Sequence, residues 1–158
     1  HLVLRRQRQM CIRDSHDIDE KKLKEADLRA ERAGVKFKRL EVEKLQNYRC
    51  SFDYIVADVP CSGSGAWRRN PQQKWRITPE SLNEILTRQT VILDEVKDLL
   101  KKNGYIFYIT CSLLKIENEE LIENFLMDNK HFRLLNKKNI TIDDSGDGFF
   151  CAVLQKKN

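Results

Sequence analysis

The chain has 158 residues, 41% of them apolar and 34% charged, which suits one domain with enough chain to bury a core. No apolar run approaches the roughly 18 residues of a membrane-spanning helix, and the basic start, His1 to Arg13, has no apolar stretch of the kind a secretory signal carries. The net charge of +5 and a pI of about 9.0 permit a polyanionic partner without proving one.

In chain order, Met10-Cys11-Ile12-Arg13-Asp14-Ser15 resembles the translation of a transposase adapter used in sequencing libraries, so residues 1–15 are set aside as a non-native segment. Natural sequence is then expected to begin near His16, with something upstream missing. His16 to Glu20 reads as the exit of a strand, with Asp17 or Asp19 as a cap and Glu20 in the first turn of a helix. Leu23, Ala26, Leu28, Ala30 and Ala33 give that helix its apolar face, and Gly34 ends it. Val35 to Val42 is expected to be a strand, and Phe52 to Ala57 the next. Pro79 to Lys102 has apolar residues at helical spacing, from Leu82 and Ile85 through Leu99, with Asn103-Gly104 as the stop. Tyr105 to Ile109 is continuously apolar, as expected of a strand covered on both faces. Glu117 to Asn129 reads as a helix. Phe132–Leu135 and Phe149–Leu154 read as strands, separated by the turn residues 144–148.

Two cysteines stand out in this frame. Cys61 follows the strand ending at Ala57, in Asp58-Val59-Pro60-Cys61-Ser62-Gly63, and Cys111 follows the strand ending at Ile109, in Thr110-Cys111-Ser112. Strand, crossover helix, strand makes the two strands parallel, so both carboxyl ends lie on one edge of the sheet. Ligands of open α/β sheets bind at that edge. If the strands are neighbours, two thiols and one carboxylate share a pocket.

The loop after Cys61 concentrates Arg68, Arg69, Lys74 and Arg76 around Trp67 and Trp75. Basic groups interleaved with aromatics suit phosphates and unstacked bases, and they equally suit a solvated loop with two partly buried tryptophans. Five cysteines is an odd number, with no CxxC pair and no Cys/His cluster at zinc spacing. A disulfide framework and a metal site are not expected, and a reducing cytoplasm fits. Cys50 and Cys151 are expected to be small buried hydrophobes.

At Asp58-Val59-Pro60-Cys61-Ser62-Gly63, Lys74-Trp75 and Thr110-Cys111-Ser112, the chain resembles the RsmB/Sun/NSUN family of RNA cytosine-C5 methyltransferases, and within it the bacterial 16S ribosomal RNA enzymes. The similarity runs from about Asp17 to the terminal Asp147-Gly148-Phe149-Phe150. Residues 16–158 would then be the C-terminal part of a methyltransferase catalytic domain. The implied fold class is α/β: a Rossmann-like methyltransferase fold, with a mostly parallel sheet ending in an antiparallel hairpin and its first strands missing. Val59 departs from the family's usual Ala. The glycine-rich loop that cradles the methionine part of S-adenosylmethionine has no counterpart in this chain.

The resemblance makes Cys111 the nucleophile, adding to C6 of cytosine so that C5 gains carbanion character, with Cys61 assisting release and Asp58 touching N3 and N4 of the base or the cofactor amine. It also implies S-adenosylmethionine as cofactor, with Asp17 on the ribose hydroxyls and Glu43, or Glu41, near the adenine. Arg68, Arg69, Lys74 and Trp75 would meet the RNA. Glu117 and Asn118 are read only as the opening of a helix. The implied protein is cytoplasmic and monomeric, acting on RNA (16S rRNA) and using no membrane and no metal. Two rivals remain: a DNA cytosine-C5 methyltransferase with Cys61 as nucleophile, and a non-catalytic RNA-binding module.

Overall fold

The structure is a computed structural model and describes residues 14–15, 20–34, 38–40, 42–143 and 146–158. They fall in two compact units, His1–Asn47 and Tyr48–Asn158. In the first, β1 (Asp14–Ser15) and β2 (Lys38–Arg39) pair in parallel on either side of α1 (Glu20–Arg32) in sequence. Leu23 and Ala30 of α1 are buried, and Gly34 ends the helix with a φ of +65°. Leu28, expected on the apolar face, is exposed. Five residues past Leu23 at 3.6 per turn, it points well away from that face. The strand expected over Val35–Val42 is, in its described part, the two residues of β2. At Val42, the last residue of that expected strand, a 3-10 helix (Val42–Tyr48) begins instead, and its Glu43, Lys44 and Asn47 do not favour strands.

The second unit carries a four-stranded sheet in the order β3-β4-β6-β5. Here β3 is Phe52–Asp58, β4 is Leu100–Thr110, β5 is Phe132–Ile140 and β6 is Phe149–Lys156. β3 and β4 are parallel neighbours, from Phe52↔Leu100 to Asp58↔Ile109. β4 pairs antiparallel with β6, and β6 with β5. Between β3 and β4 runs α2 (Pro79–Leu99). Thr78 starts it with a reciprocal cap: its Oγ1 accepts from the Ser81 N–H (3.2 Å), while Ser81 Oγ accepts from the Thr78 N–H (2.9 Å). After β4 comes α3 (Glu119–Asp128).

α2 stops at Leu99, three residues short of the expected Lys102. Leu100 is fully buried and already pairs with Phe52, so the chain must enter the sheet at once. Asn103 and Gly104 do not stop a helix; they belong to an irregular start of β4. Asn103 has a φ of +61°, and a Cβ on Gly104 would lie 3.0 Å from the carbonyl oxygen of Asp53. The sheet also departs from the expectation of equal cover on both faces. Ile106, Tyr108 and Thr110 are fully buried, while the intervening Tyr105, Phe107 and Ile109 are half-buried and Tyr54 and Val56 of β3 are exposed. The reason is that Leu93 of α2 and Ile122 and Phe125 of α3 pack with Ile106, Tyr108, Phe150 and Leu154 in one cluster. Burying each such side chain contributes about 1.5–3 kcal/mol. Cys50, expected buried, is exposed at a tight turn with a φ of +52°.

Candidate active site at the carboxyl ends of the parallel strands

The parallel ladder runs one step past β3, where the Val59 N–H donates to the Ile109 carbonyl (3.2 Å). Pro60 then has no N–H to give, and pairing ends. The chain turns at Cys61 and Ser62, passes Gly63 at a φ of +69°, and forms a short 3-10 turn over Ser64–Ala66. β4 ends one residue before Cys111. The two strand ends therefore deliver both cysteines to one point, with Cys61 Sγ and Cys111 Sγ 3.2 Å apart.

Their protons are not equivalent. The hydrogen bond from Cys61 holds the Cys111 thiol down, to about 7, against the opposing effect of burial. The same hydrogen bond, with burial and the charge on Cys111, pushes Cys61 far up. The pair thus loses its first proton below the usual thiol range and its second well above it. Around pH 7 the pair therefore passes from two thiols to one thiolate and one S–H donor.

Beneath the sulfurs lies a polar network that sequence reasoning missed. Glu117, in the 3-10 turn before α3, is fully buried. Its carboxylate accepts from the Ser62 N–H (2.8 Å), the Ser62 hydroxyl, the Ser112 hydroxyl and the Gln89 amide of α2 (3.2 Å). Gln89 also donates to the Pro60 carbonyl (2.8 Å). Next to it, Asn118 accepts from Thr110 Oγ1 (2.7 Å) and donates to the Ser112 carbonyl (2.9 Å). Tyr108 Oη donates to the Glu117 carbonyl (2.7 Å), and burial raises this phenol so that it keeps its proton. The available signal was the placement of Glu-Asn six and seven residues after Cys111; a helix start explained it too easily.

Backbone contacts close the other side. Gly65 donates to the Cys111 carbonyl (2.9 Å) and accepts from the Gly148 N–H (3.0 Å). A Cβ on Gly65 would sit 2.1 Å from the Gly148 oxygen, so only glycine fits. Above the sulfurs opens a cleft of about 430 Å³, lined by Cys61, Ser62, Gly63, Ala66, Gln73, Arg76, Ile77 and Cys111.

The other expected residues are distributed as follows. Asp58 is exposed at the end of β3, three residues before Cys61. Arg68 and Lys74 are exposed, and Trp75 is 85% exposed, whereas Trp67 is half-buried. Arg69 is engaged elsewhere: its guanidinium grips both carboxylate oxygens of Asp147 (Nε at 3.0 and 2.9 Å) and holds that carboxyl below its usual range. Arg76 is the cation that lines the cleft. Asp17 and Glu41 lie outside the described residues. Glu43 falls in the 3-10 helix after β2, in the first unit. Among the described residues, no group of three His, Cys, Asp or Glu side chains is placed to hold a metal ion. No described helix is long and apolar enough to cross a membrane.

Comparison with known proteins decides the family. The model for the 16S rRNA methyltransferase RsmB/F family matches residues 2–155. The chain belongs to the RsmB/F family. That match begins within the segment set aside above as adapter. Among RsmB/F relatives, the chain is 39% identical over 114 residues to the ribosomal RNA small subunit methyltransferase B of Photorhabdus laumondii, covering 67% of this chain and 27% of that protein. It is 33% identical over 153 residues to the same-named protein of Serratia proteamaculans, covering 89% of this chain and 35% of that one. A solved methyltransferase homologue from Pyrococcus horikoshii superposes with a TM-score of 0.76 at 26% identity, over 92% of this chain and 53% of that chain. The fold is Rossmann-like, of the methyltransferase type, closed by the antiparallel β5–β6 hairpin. The chain spans about a third or less of the length of these two curated relatives (27% and 35%).

Proposed function

We propose that residues 16–158 form the C-terminal part of the catalytic domain of an S-adenosylmethionine-dependent RNA (cytosine-C5) methyltransferase, cytoplasmic and monomeric, with 16S rRNA as substrate. The observation that carries this reading is the 3.2 Å sulfur pair, whose hydrogen bond lowers the Cys111 thiol and raises that of Cys61.

C5 of cytosine is a weak nucleophile, and a thiolate bonded to C6 corrects that. Cys111 Sγ adds to C6, the ring double-bond electrons move toward C5, and protonation at N3 absorbs the charge. Asp58, exposed beside the sulfurs, is the carboxyl group suited to N3 and N4. The cleft opens onto both sulfurs, so the base must leave its stack to enter it.

The proton asymmetry then orders the steps. While Cys111 is a thiolate, Cys61 cannot give up its proton, because the hydrogen bond and charge of Cys111 hold it. Once Cys111 is a thioether, both influences vanish and Cys61 falls back toward the usual thiol range. Having released its own proton to solvent in the open cleft, Cys61 as thiolate takes the C5 proton; the C5–C6 double bond re-forms as the C6–S bond breaks, Cys111 leaves as thiolate, and the N3 proton returns to Asp58. The cofactor contributes an electrophilic methyl group. Of the carboxylates assigned to it, Asp58 is the one within the second unit, where the cofactor amine is the alternative to its role at N3 and N4. Arg68, Lys74 and Trp75 are exposed to take phosphates and a stacked base.

The test is covalent trapping with 5-fluorocytosine RNA, in a chimaera joining residues 16–158 to the amino-terminal part of the Photorhabdus relative. Cys111→Ala should form no adduct, and Cys61→Ala should accumulate one. The reverse pattern would reassign the nucleophile to Cys61, as in the DNA enzymes. Salt-sensitive RNA binding with no adduct in any version would favour a binding module.

A further inference from the structure

We infer that Glu117 is a positioning residue: its buried carboxylate ties the residue after each cysteine to a single point and so sets the contact between the two sulfurs. Cys61 is followed by Ser62 and Cys111 by Ser112. Ser62 reaches Glu117 through both its N–H (2.8 Å) and its hydroxyl, and Ser112 through its hydroxyl. The two serines also lie 3.2 Å apart through their own Oγ atoms. Ser112 Oγ in turn accepts from the Leu114 N–H (3.0 Å) and lies 3.0 Å from Ser64 Oγ, whose oxygen accepts from the Leu113 N–H (2.7 Å). Two loops that are 50 residues apart in the chain thus share one acceptor.

A fully buried carboxylate is costly unless its oxygens are satisfied. Here the satisfying donors come from the Cys61 loop, the Cys111 loop and α2, so the carboxylate is content only when all three are in place. Charge-assisted hydrogen bonds of this kind are about twice as strong as neutral ones. Beyond each other, the sulfurs meet the backbone N–H groups of Gly63 and Cys111, which are neutral donors. Their 3.2 Å separation follows from where the serines hold the backbone. The inference concerns the geometry of the thiol pair, and it deepens the catalytic reading above while its test does not depend on RNA.

The test reads the pH profile of Cys111 alkylation by iodoacetamide, site by site by mass spectrometry, in the chain as it stands. Around Cys111 the charged and titratable groups are Cys61, Asp58 and Glu117, which act on its thiol, and Arg69 and Arg76, the first within its field and the second across the cleft. In the parent the midpoint is expected near 7. In Glu117→Gln the serines lose their common charged acceptor, the sulfurs separate, and the midpoint should rise toward an ordinary thiol. A midpoint of about 8.5 corresponds to roughly fifteenfold slower alkylation at pH 7.

The sign is decisive. The negative charge of Glu117 by itself pushes the Cys111 thiol up, so removing only that charge would move the midpoint down. A fall, or no change, in a folded Glu117→Gln protein overturns the inference. Ser112→Ala provides the second variant, since it deletes one tether and leaves the carboxylate in place. It should raise the midpoint by a smaller amount, and an unshifted midpoint there also counts against the inference. If both midpoints rise and the trapping experiment still yields no adduct, the positioning role stands and the methyltransferase reading falls.

Discussion

The cleft has two unlike walls. Behind the inner one, which Cys61, Ser62 and Cys111 line, stand Glu117, Asn118, Ser112 and Gln89, all buried and cross-linked by hydrogen bonds between segments far apart in sequence. The outer one is the loop from Arg68 to Arg76, where Arg68, Lys74 and Trp75 reach into solvent. Only Arg69 of that expected set is pinned, to Asp147. The inner wall fixes the geometry of two sulfurs, and geometry requires partners held in place. The outer wall presents charge and an aromatic face, and a flexible polyanion is better met by side chains that can still adjust. On the proposed function, positioning and binding fall to different residues, although most of both sets follow Cys61 and Cys111 closely in sequence.

The contrast can be broken most forcibly at Gly65, where the inner wall is tightest. Gly65→Ala places a methyl group against the backbone oxygens of Gly148 and Cys111, neither of which is the end of a flexible side chain. A loss of about 3 kcal/mol in urea denaturation is expected; a loss well under 1 kcal/mol would show that the three loops are not in contact. Next is the proton asymmetry. Because the Cys111 thiol is held to about 7, its alkylation should rise with pH through that value, roughly tenfold between pH 6 and pH 8. Cys61, held up by Cys111, should resist alkylation over the same range and become reactive after Cys111 is capped. Simultaneous reaction of both thiols would refute the ordering of steps.

Smaller again is Tyr108→Phe. It removes the hydroxyl that donates to the Glu117 carbonyl and leaves the ring packed edge-on against Phe150. About 1 kcal/mol of stability should be lost, measured by the same denaturation. The outer wall should hardly register on stability at all. Trp75→Ala and Lys74→Ala are expected within about 0.5 kcal/mol of the parent. Their effect belongs to RNA binding in the chimaera: Trp75→Ala should lose the stacking of one base, about 1–3 kcal/mol. Lys74→Ala should lower the salt slope by about 1. A stability loss larger than these binding effects would place the outer loop among the structural residues.

Legibility in the sequence followed the range of the interaction involved. The strand over Phe52–Ala57, the start of α2 at Pro79 and the terminal hairpin were readable because apolar runs, helical periodicity and turn residues are local signals. The end of α2 was not, since Leu100 leaves the helix to pair with Phe52, nearly 50 positions away. That Cys61 and Cys111 lie at one edge of the sheet was readable through the crossover, which is a rule of chain geometry; that their strands are neighbours came from the β3–β4 pairing. Glu117 was not readable, because nothing local distinguishes a buried carboxylate from one that merely begins a helix. Arg69 looked like its basic neighbours, and only the approach of Asp147 from the last hairpin sets it apart.

From its residue order alone, this chain determines a parallel pair of strands with a cysteine past each end, together with a basic, tryptophan-bearing loop beside them. Which sulfur gives up its proton, which carboxylate lies buried beneath them and which arginine is already taken were decided by tertiary structure. Those properties depend on distances between segments some 50 to 80 residues apart. A hydrogen bond or a desolvated charge acts over a few ångströms of space, whatever the separation along the chain.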